Sequence, residues 1–105
     1  CELPVKSIEA IAFTSLLADK DLELIDVRTV EEFKNGHLKA AKNIPLDILE
    51  NQMERINKTK PVYVICQSGI RSQKAIVLLQ ALFPKSEFIN VIGGMNHINT
   101  YANIY

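Results

Sequence analysis

The chain has no tryptophan, only two cysteines and no long apolar run, and these absences exclude several classes of protein. Two cysteines in 105 residues do not make the disulfide framework of a small secreted domain. No stretch approaches the roughly 20 apolar residues that a membrane-spanning helix requires, and we expect no signal peptide. An excess of charge is also lacking, because 12 basic and 12 acidic residues cancel. Without an overall field, neither nucleic acid nor a membrane surface is expected as a partner.

What is present is the composition of one globular domain. Hydrophobic residues make up 48% and charged residues 23% of the chain. A chain of 105 residues can bury roughly two-thirds of its unfolded surface, so we expect a single domain over residues 1–105. The sparse cysteine content favours a reducing, cytoplasmic location. Cys1 is an unusual first residue and indicates processing, truncation or a longer parent chain.

The apolar pattern predicts strands that alternate with helices. Stretches typical of strands cover residues 3–6, 22–27, 40–45, 62–65 and 88–92. Helical patterns cover residues 8–18, 30–35, 46–56, 72–83 and, more weakly, 95–105. This alternation implies an α/β fold with a parallel central sheet flanked by helices on both faces. In such sheets, ligands bind at the carboxyl ends of the strands.

Local signals define the ends of two of these helices. Ser7 is the predicted N-cap of the first helix, whose buried face is predicted to contain Ile8, Ile11, Ala12, Phe13 and Leu16. Thr29 and Glu32 have the spacing of a capping box at the start of the second. Arg28 and Glu32 are four residues apart, so they are candidates for an ion pair.

Cys66 stands where the central strand ends. Val62–Ile65 is β-branched and aromatic, and a turn containing Gly69 leads from Cys66 into the next helix. Backbone N–H groups in such a turn and at a helix N-terminus favour an anion. A thiolate is such an anion, so the position predicts a lowered pKa and a nucleophilic sulfur for Cys66. A single cysteine also fits a buried residue that acts as a small hydrophobe.

The residues around this turn carry a family resemblance. Cys66 and Arg71 bracket four residues and Ser72 follows, and the run Val64–Ser72 resembles the active-site signature of the rhodanese family of single-domain sulfurtransferases. Residues 24–28, 31–33, 36–38, 40–41 and 43–45 are similar to the first signature of that family, and residues 91–95 to its C-terminal one. The resemblance covers about residues 5–98. Ile98 occupies the position at which the family usually has tryptophan, which leaves the packing of the last helix open.

The resemblance implies a rhodanese-like fold and a sulfur-transfer reaction. Cys66 would be the catalytic residue and would attack the outer sulfur of a small anionic donor such as thiosulfate, with sulfite leaving. The resulting persulfide would pass its sulfur to a thiol, to cyanide or to a sulfur-accepting protein. Two half-reactions through one covalent intermediate imply ping-pong kinetics. No metal and no organic cofactor is implied.

The other candidate residues follow from the same motif. The N–H groups of Gln67, Ser68, Gly69, Ile70 and Arg71 would hold the charge of the persulfide, and the side chains of Gln67, Ser68 and Ile70 would shape the choice of donor. Arg71 would bind the anionic donor or stabilise the thiolate. Ser72 is predicted to cap the helix through its hydroxyl. Asp26 and Arg28 are expected behind the loop, and His37 is expected to be structural.

Three alternatives to a free-standing sulfurtransferase remain. Cysteine phosphatases, including a rhodanese-like branch, have loops that are one residue longer between Cys and Arg. A shorter loop fits one sulfur atom better than a tetrahedral phosphate, so phosphatase or arsenate reductase activity is disfavoured. The second alternative is a rhodanese-like module that binds or regulates without catalysis, and the third is a persulfide carrier that serves a protein partner.

Overall fold

A parallel five-stranded sheet forms the centre of the structure, a computed structural model that describes residues 4–98. The strands lie in the order β1-β5-β4-β2-β3, and every neighbouring pair is parallel. Their bounds are β1 Lys6–Ile8, β2 Glu23–Asp26, β3 Ala41–Asn43, β4 Val62–Ile65 and β5 Phe88–Val91. The predicted α/β class and parallel sheet are therefore confirmed. Residues 1–3 and 99–105, with Cys1 and most of the predicted last helix, lie outside the described part.

Residues 4–98 contain four α-helices and two short 3-10 helices, and all of them except the last α-helix lie between strands. Their bounds are α1 Ala10–Thr14, α2 Val30–Lys34, α3 Ile70–Leu82 and α4 Gly94–Ile98, with 3-10 helices at Leu46–Asn51 and Met53–Arg55. The longest, α3, begins where the loop after β4 ends. Among residues 4–98, no helix has the length and apolar character needed to cross a membrane.

Successive residues of the sheet alternate between two hydrophobic cores. On β4, Val62 and Val64 face one core and Tyr63 and Ile65 face the other, as the two-residue period of a strand requires. The first core includes residues of α3, namely Ala75, Ile76 and Leu79. The second includes residues of α1 and α4, namely Ala10, Phe13, Met95 and Ile98. Helices therefore cover both faces of the sheet.

The first predicted strand and helix are displaced along the chain. Strand β1 extends to Ile8, which pairs with Val91 of β5, so the helix starts later, with Glu9 rather than Ser7 as its N-cap. The predicted buried face of this helix is wrong in part, because Ile11 is 61% exposed and Ala12 is also exposed. The pairing of β1 with β5 sets the rotation of α1, and its buried residues are Ala10 and Phe13.

The predicted helix over residues 46–56 is also wrong, since the structure has two 3-10 helices there. Lysine side chains bind the carbonyl groups of this segment. Lys58 Nζ donates to the carbonyls of Met53 (2.9 Å) and Ile56 (3.1 Å), and Lys42 Nζ donates to that of Arg55 (2.9 Å). With these carbonyls bound by side chains, the segment does not depend on α-helical hydrogen bonds.

Ile98, at the position of the family tryptophan, is fully buried in the second core. We expect Ile98→Ala to lower the free energy of unfolding by about 2–5 kcal/mol, because it deletes buried methyl groups and leaves a cavity. Urea denaturation of both proteins measures the difference. Ile11→Ala is the matched control, and at a 61% exposed position it should change the free energy by less than about 0.5 kcal/mol. Equal small losses in both variants would show that Ile98 does not hold α4 to the core.

Candidate active site

Cys66 and Asp26 lie side by side at the carboxyl edge of the sheet. Asp26 is the last residue of β2 and pairs with Ile65, the last residue of β4, directly before Cys66. Arg28 follows Asp26 by two residues, and the loop from Cys66 to Ser72 leads into α3. The structure thus brings the residues singled out by the sequence to one edge, where parallel sheets place their ligands.

The loop closes tightly over the sulfur of Cys66. The N–H of Gly69 donates to Cys66 Sγ at 3.0 Å, and Gly69 is also the N-cap of α3, with φ of 96°. This left-handed conformation favours glycine. A Cβ atom there would also stand 3.2 Å from the backbone nitrogen of Gly93, tighter than ordinary packing. Gly69 is therefore required by conformation and by space.

Ser72 and Asn90 complete the surroundings of the sulfur on its inner side. Cys66 Sγ lies 3.4 Å from Ser72 Oγ, and the Ser72 hydroxyl donates in turn to Asn90 Oδ1. The hydroxyl cap predicted for Ser72 is wrong, because Gly69 is the N-cap and no side chain caps α3. Ser72 is the third residue of the helix and is buried, so its hydroxyl faces the sulfur and Asn90 instead of the helix end.

The pKa of the Cys66 thiol results from opposing effects. Burial raises it, since a thiolate is costly to desolvate, whereas the Ser72 hydroxyl and the backbone N–H groups of Ser72, Gly69 and Ser68 lower it. The hydrogen bonds outweigh burial, and the pKa falls below its usual value. A buried sulfur in this setting is more acidic than an ordinary cysteine, which distinguishes it from a cysteine that only fills space.

Arg71 is held by α2. Its guanidinium makes a bidentate ion pair with Glu32, Nη1 to Oε1 at 2.7 Å and Nη2 to Oε2 at 2.8 Å. The predicted pair of Arg28 with Glu32 is therefore wrong, because Arg28 binds Asp26 instead. The predicted capping box is confirmed, with the Thr29 hydroxyl accepting from the Glu32 N–H and Glu32 Oε1 accepting from the Thr29 N–H. Glu32 thus both caps α2 and fixes Arg71.

Asp26 and Arg28 support the loop through Gln67. Arg28 binds Asp26 in a buried pair (Nη2 to Oδ2, 2.8 Å) and donates from Nη1 to Gln67 Oε1 at 3.2 Å. The other end of the Gln67 amide donates to Asn96 Oδ1 at 2.6 Å. The Gln67 side chain is therefore held between Asn96 of α4 and Arg28, which follows the end of β2 by two residues. Of the three side chains expected to shape donor choice, only Ser68 and Ile70 are exposed.

Helix α4 holds the first half of the loop through its backbone. The N–H of Met95 donates to the carbonyl of Cys66 at 2.8 Å, and that of Asn96 to the carbonyl of Gln67 at 3.0 Å. Gly94 allows this approach, because a Cβ there would run into the Cys66 carbonyl. The glycines of the C-terminal signature, Gly93 and Gly94, thus pack directly against the cysteine loop.

The remaining polar candidates have structural contacts. His37 stacks on Phe33 with ring centroids 3.8 Å apart, and its Nδ1 lies 2.8 Å from the Phe33 carbonyl. Within residues 4–98, no group of His, Cys, Asp and Glu side chains is arranged to hold a metal ion. Sequence reasoning missed Asn90. Its one signal was a polar residue inside an otherwise apolar strand.

The fold and the site together define a parallel α/β domain that presents an acidified cysteine at the carboxyl edge of its sheet. The Rhodanese-like domain family model matches residues 10–100, nearly the whole chain. The chain therefore belongs to the rhodanese-like domain family.

Individual relatives agree with this assignment. YrkF of Bacillus subtilis, provisionally named a sulfur carrier protein, is 33% identical over 93 residues, which cover 89% of this chain and 49% of YrkF. This chain thus spans about half the length of YrkF. The thiosulfate sulfurtransferase GlpE of Coxiella burnetii is 31% identical over 90 residues, covering 85% of this chain and 82% of GlpE. The crystal structure of a rhodanese-like domain protein from Staphylococcus aureus matches with a TM-score of 0.81 and 34% identity, covering 90% of this chain and 91% of that one.

The Glu32–Arg71 ion pair predicts a pH-dependent contribution to stability. The hydrogen bond from Arg71 is the main reason why the pKa of Glu32 falls from 4.5 to about 2. A carboxyl with a lowered folded-state pKa stabilises the fold above its unfolded pKa, and that contribution is lost as the pH falls through the folded one. We therefore expect Glu32→Gln to destabilise by a constant amount above about pH 5, with the difference shrinking toward about pH 2.

Urea denaturation across this pH range measures that difference. Glu31→Gln is the matched control, because Glu31 lies one position earlier in the same first turn of α2 and is exposed. It should show no comparable pH dependence. A Glu32→Gln difference that stays constant down to about pH 2 would contradict the assigned ion pair.

Proposed function

We propose that this protein is a sulfurtransferase that moves a sulfane sulfur from a small anionic donor such as thiosulfate to a thiophilic acceptor, through a persulfide on Cys66. Membership of the rhodanese-like domain family supports sulfur transfer in general, and the relative GlpE is named a thiosulfate sulfurtransferase. The observation that most directly supports a persulfide is the set of groups around Cys66 Sγ. The Gly69 N–H donates a hydrogen bond to this sulfur, and the Ser72 hydroxyl contacts it.

The first half-reaction is a displacement at sulfur. The Cys66 thiolate uses a lone pair to bond to the outer sulfur of thiosulfate, the bond between the two thiosulfate sulfurs breaks, and its electron pair leaves with sulfite. The charge then lies on the outer sulfur of the persulfide, where preorganised N–H groups of the loop stabilise it. Cys66 is fully buried, and the exposed side chains next to it in the loop are those of Ser68 and Ile70.

The proposed role of Arg71 is to attract the donor. The ion pair with Glu32 uses two of the five N–H donors of its guanidinium. The side chain is about one-third exposed, and the negative charge of Cys66 contributes to raising its pKa, after the larger effect of Glu32. An anionic donor therefore meets a positive group beside the nucleophile.

In the second half-reaction, the acceptor attacks the outer sulfur and Cys66 leaves as a thiolate. A thiol, cyanide or a cysteine of a sulfur-accepting protein has the required nucleophilicity. The name of YrkF, a relative that is about twice as long, favours carriage of sulfur to a protein partner as the second candidate function. The short span from Cys66 to Arg71 disfavours phosphatase and arsenate reductase chemistry.

Intact mass measurement tests the proposal. Incubation with thiosulfate is expected to add one sulfur atom, and cyanide should remove it and yield thiocyanate. Cys66→Ser should never acquire the sulfur, whereas Cys1→Ser, which removes the other cysteine, should acquire it normally.

A negative result is equally informative. If no sulfane donor produces the adduct on the folded Cys1→Ser protein, the catalytic proposal fails and a non-catalytic binding module is favoured. Turnover of a phosphate ester without sulfur transfer would favour a phosphatase over a sulfurtransferase.

A further inference from the structure

Three side chains form a buried hydrogen-bonded row that starts at the sulfur. Cys66 Sγ contacts Ser72 Oγ at 3.4 Å, and the Ser72 hydroxyl donates to Asn90 Oδ1. Cys66 and Ser72 are fully buried and Asn90 is 2% exposed. Asn90 lies on β5 opposite Val64 of β4, two residues before Cys66, so rigid elements position every member. Burying an amide in this apolar strand costs free energy unless the amide is hydrogen-bonded.

A serine hydroxyl has only one proton to donate. While Sγ carries a proton, the S–H can donate a hydrogen bond to Ser72 Oγ, and the Ser72 hydroxyl donates its own hydrogen bond to Asn90 Oδ1. When Sγ is a thiolate it can only accept, and the negative sulfur competes with Asn90 for the same proton. Charge-assisted hydrogen bonds are about twice as strong as neutral ones. The negative sulfur therefore wins this competition, and the neutral sulfur loses it.

We propose that Asn90 is a positioning residue whose Oδ1 accepts the hydrogen bond of the Ser72 hydroxyl whenever Sγ is neutral, and that the hydroxyl turns to donate to Sγ whenever Sγ becomes negative. The proposal rests on the persulfide chemistry above, because Sγ changes charge in each half-reaction. In the persulfide, Sγ is neutral and the charge lies on the outer sulfur, so the hydroxyl returns to Asn90. When the acceptor removes that sulfur, the charge returns to Sγ and the hydroxyl follows. Apart from the bonds that form and break in the two half-reactions, the proposal requires only that the Ser72 hydroxyl rotates about its C–O bond.

Other charged groups around the sulfur are accounted for. Arg71 and its partner Glu32 approach from α3 and α2, and the pKa of Glu32 is about 2, so that pair keeps its charges through the pH range in which a thiol titrates. Asp26 and Arg28 form a buried pair behind Gln67. The imidazole of His97, on α4, lies against Gly93. His97→Gln is therefore a control for the assignment of the titration.

The test measures the pKa of Cys66 and the two half-reactions separately, all in the Cys1→Ser background so that one thiol titrates. Thiolate absorbance in the ultraviolet gives the pKa, with no donor present. Ser72→Ala removes the donor to the thiolate, and the pKa should rise by about one unit. Asn90→Leu removes the competing acceptor, so the hydroxyl always faces Sγ and the pKa should fall.

Asn90→Leu should also split the two half-reactions. A thiolate of lower pKa is a weaker nucleophile and a better leaving group. Loading from thiosulfate at a pH where Cys66 is fully ionised should therefore slow, while discharge to cyanide should not. In the Ser72→Ala background, Asn90→Leu should change neither the pKa nor this ratio, because Asn90 acts through the hydroxyl.

A purely structural role for Asn90 gives different results. Loss of packing would lower stability but leave the pKa unchanged, or shift it equally with and without Ser72, and either result overturns the proposal. If Asn90→Leu does not fold, judged by circular dichroism, Asn90→Asp replaces it. The carboxylate of this variant accepts the hydrogen bond of the Ser72 hydroxyl more strongly than the amide does, and its charge also repels a thiolate. The pKa of Cys66 should therefore rise more when Ser72 is present than in the Ser72→Ala background, where only the repulsion remains. An equal rise in both backgrounds, or no rise in either, would overturn the proposal.

The design separates this inference from the proposed function. The pKa shifts require no sulfur donor. If the pKa shifts appear as expected but no persulfide forms, the proposed sulfur transfer is wrong. The exchange of the Ser72 hydroxyl between Asn90 and Cys66 Sγ is then supported for ionisation of the thiol only. If the persulfide forms without these shifts, sulfur transfer stands and the role of Asn90 is wrong.

Discussion

The contact on which the rest of the site depends is the hydrogen bond from the Gly69 N–H to Cys66 Sγ, 3.0 Å long and closed off from solvent. A negative sulfur inside a protein is expensive unless donors surround it. That donor points at the sulfur only because Gly69 adopts a left-handed conformation beside Gly93. This N–H acts together with the hydroxyl and the N–H of Ser72 and the N–H of Ser68, and these donors outweigh the effect of burial and lower the pKa of the Cys66 thiol.

A loop of this kind keeps its donors aimed only if neighbouring elements hold it, and three of them do. Helix α4 donates two backbone N–H groups to its carbonyls. Arg28, oriented by Asp26, holds Gln67 from the other side. Glu32 holds Arg71 from α2. These supports come from two strand-helix units, β2–α2 and β5–α4, whose strands flank β4 in the sheet, so the sheet is the common frame. The hydrogen-bond donors of the loop are therefore preorganised, which means that they are in position before negative charge develops on the sulfur.

The parts of this arrangement that could be predicted are those that local sequence determines. The strand Val62–Ile65, the capping box of Thr29 and Glu32, and the glycine turn after Cys66 are each encoded within a few residues. The partner of Glu32 is not, since Arg71 is 39 positions away and the local helix rule favoured Arg28 instead. Ser72 had the type and position of a helix cap, and only the placement of β5 gives its hydroxyl a different acceptor. The rotation of α1 likewise depends on strand pairing.

The ties that fix the loop also limit what is left to recognise a partner. Gln67 is polar and follows the nucleophile directly, yet both ends of its amide are bound within the protein. Ser68 and Ile70 project outward instead, one hydroxyl and one apolar side chain that is 61% exposed. Neither carries a charge, so in the proposed reaction the attraction of an anionic donor would fall to Arg71. An exposed isoleucine beside the proposed persulfide would suit contact with an apolar or protein surface better than contact with a small anion. The loop thus combines the cationic Arg71 with the uncharged, exposed side chains of Ser68 and Ile70. In the proposed reaction the first would attract the donor, and the other two would be available for contact with a larger acceptor.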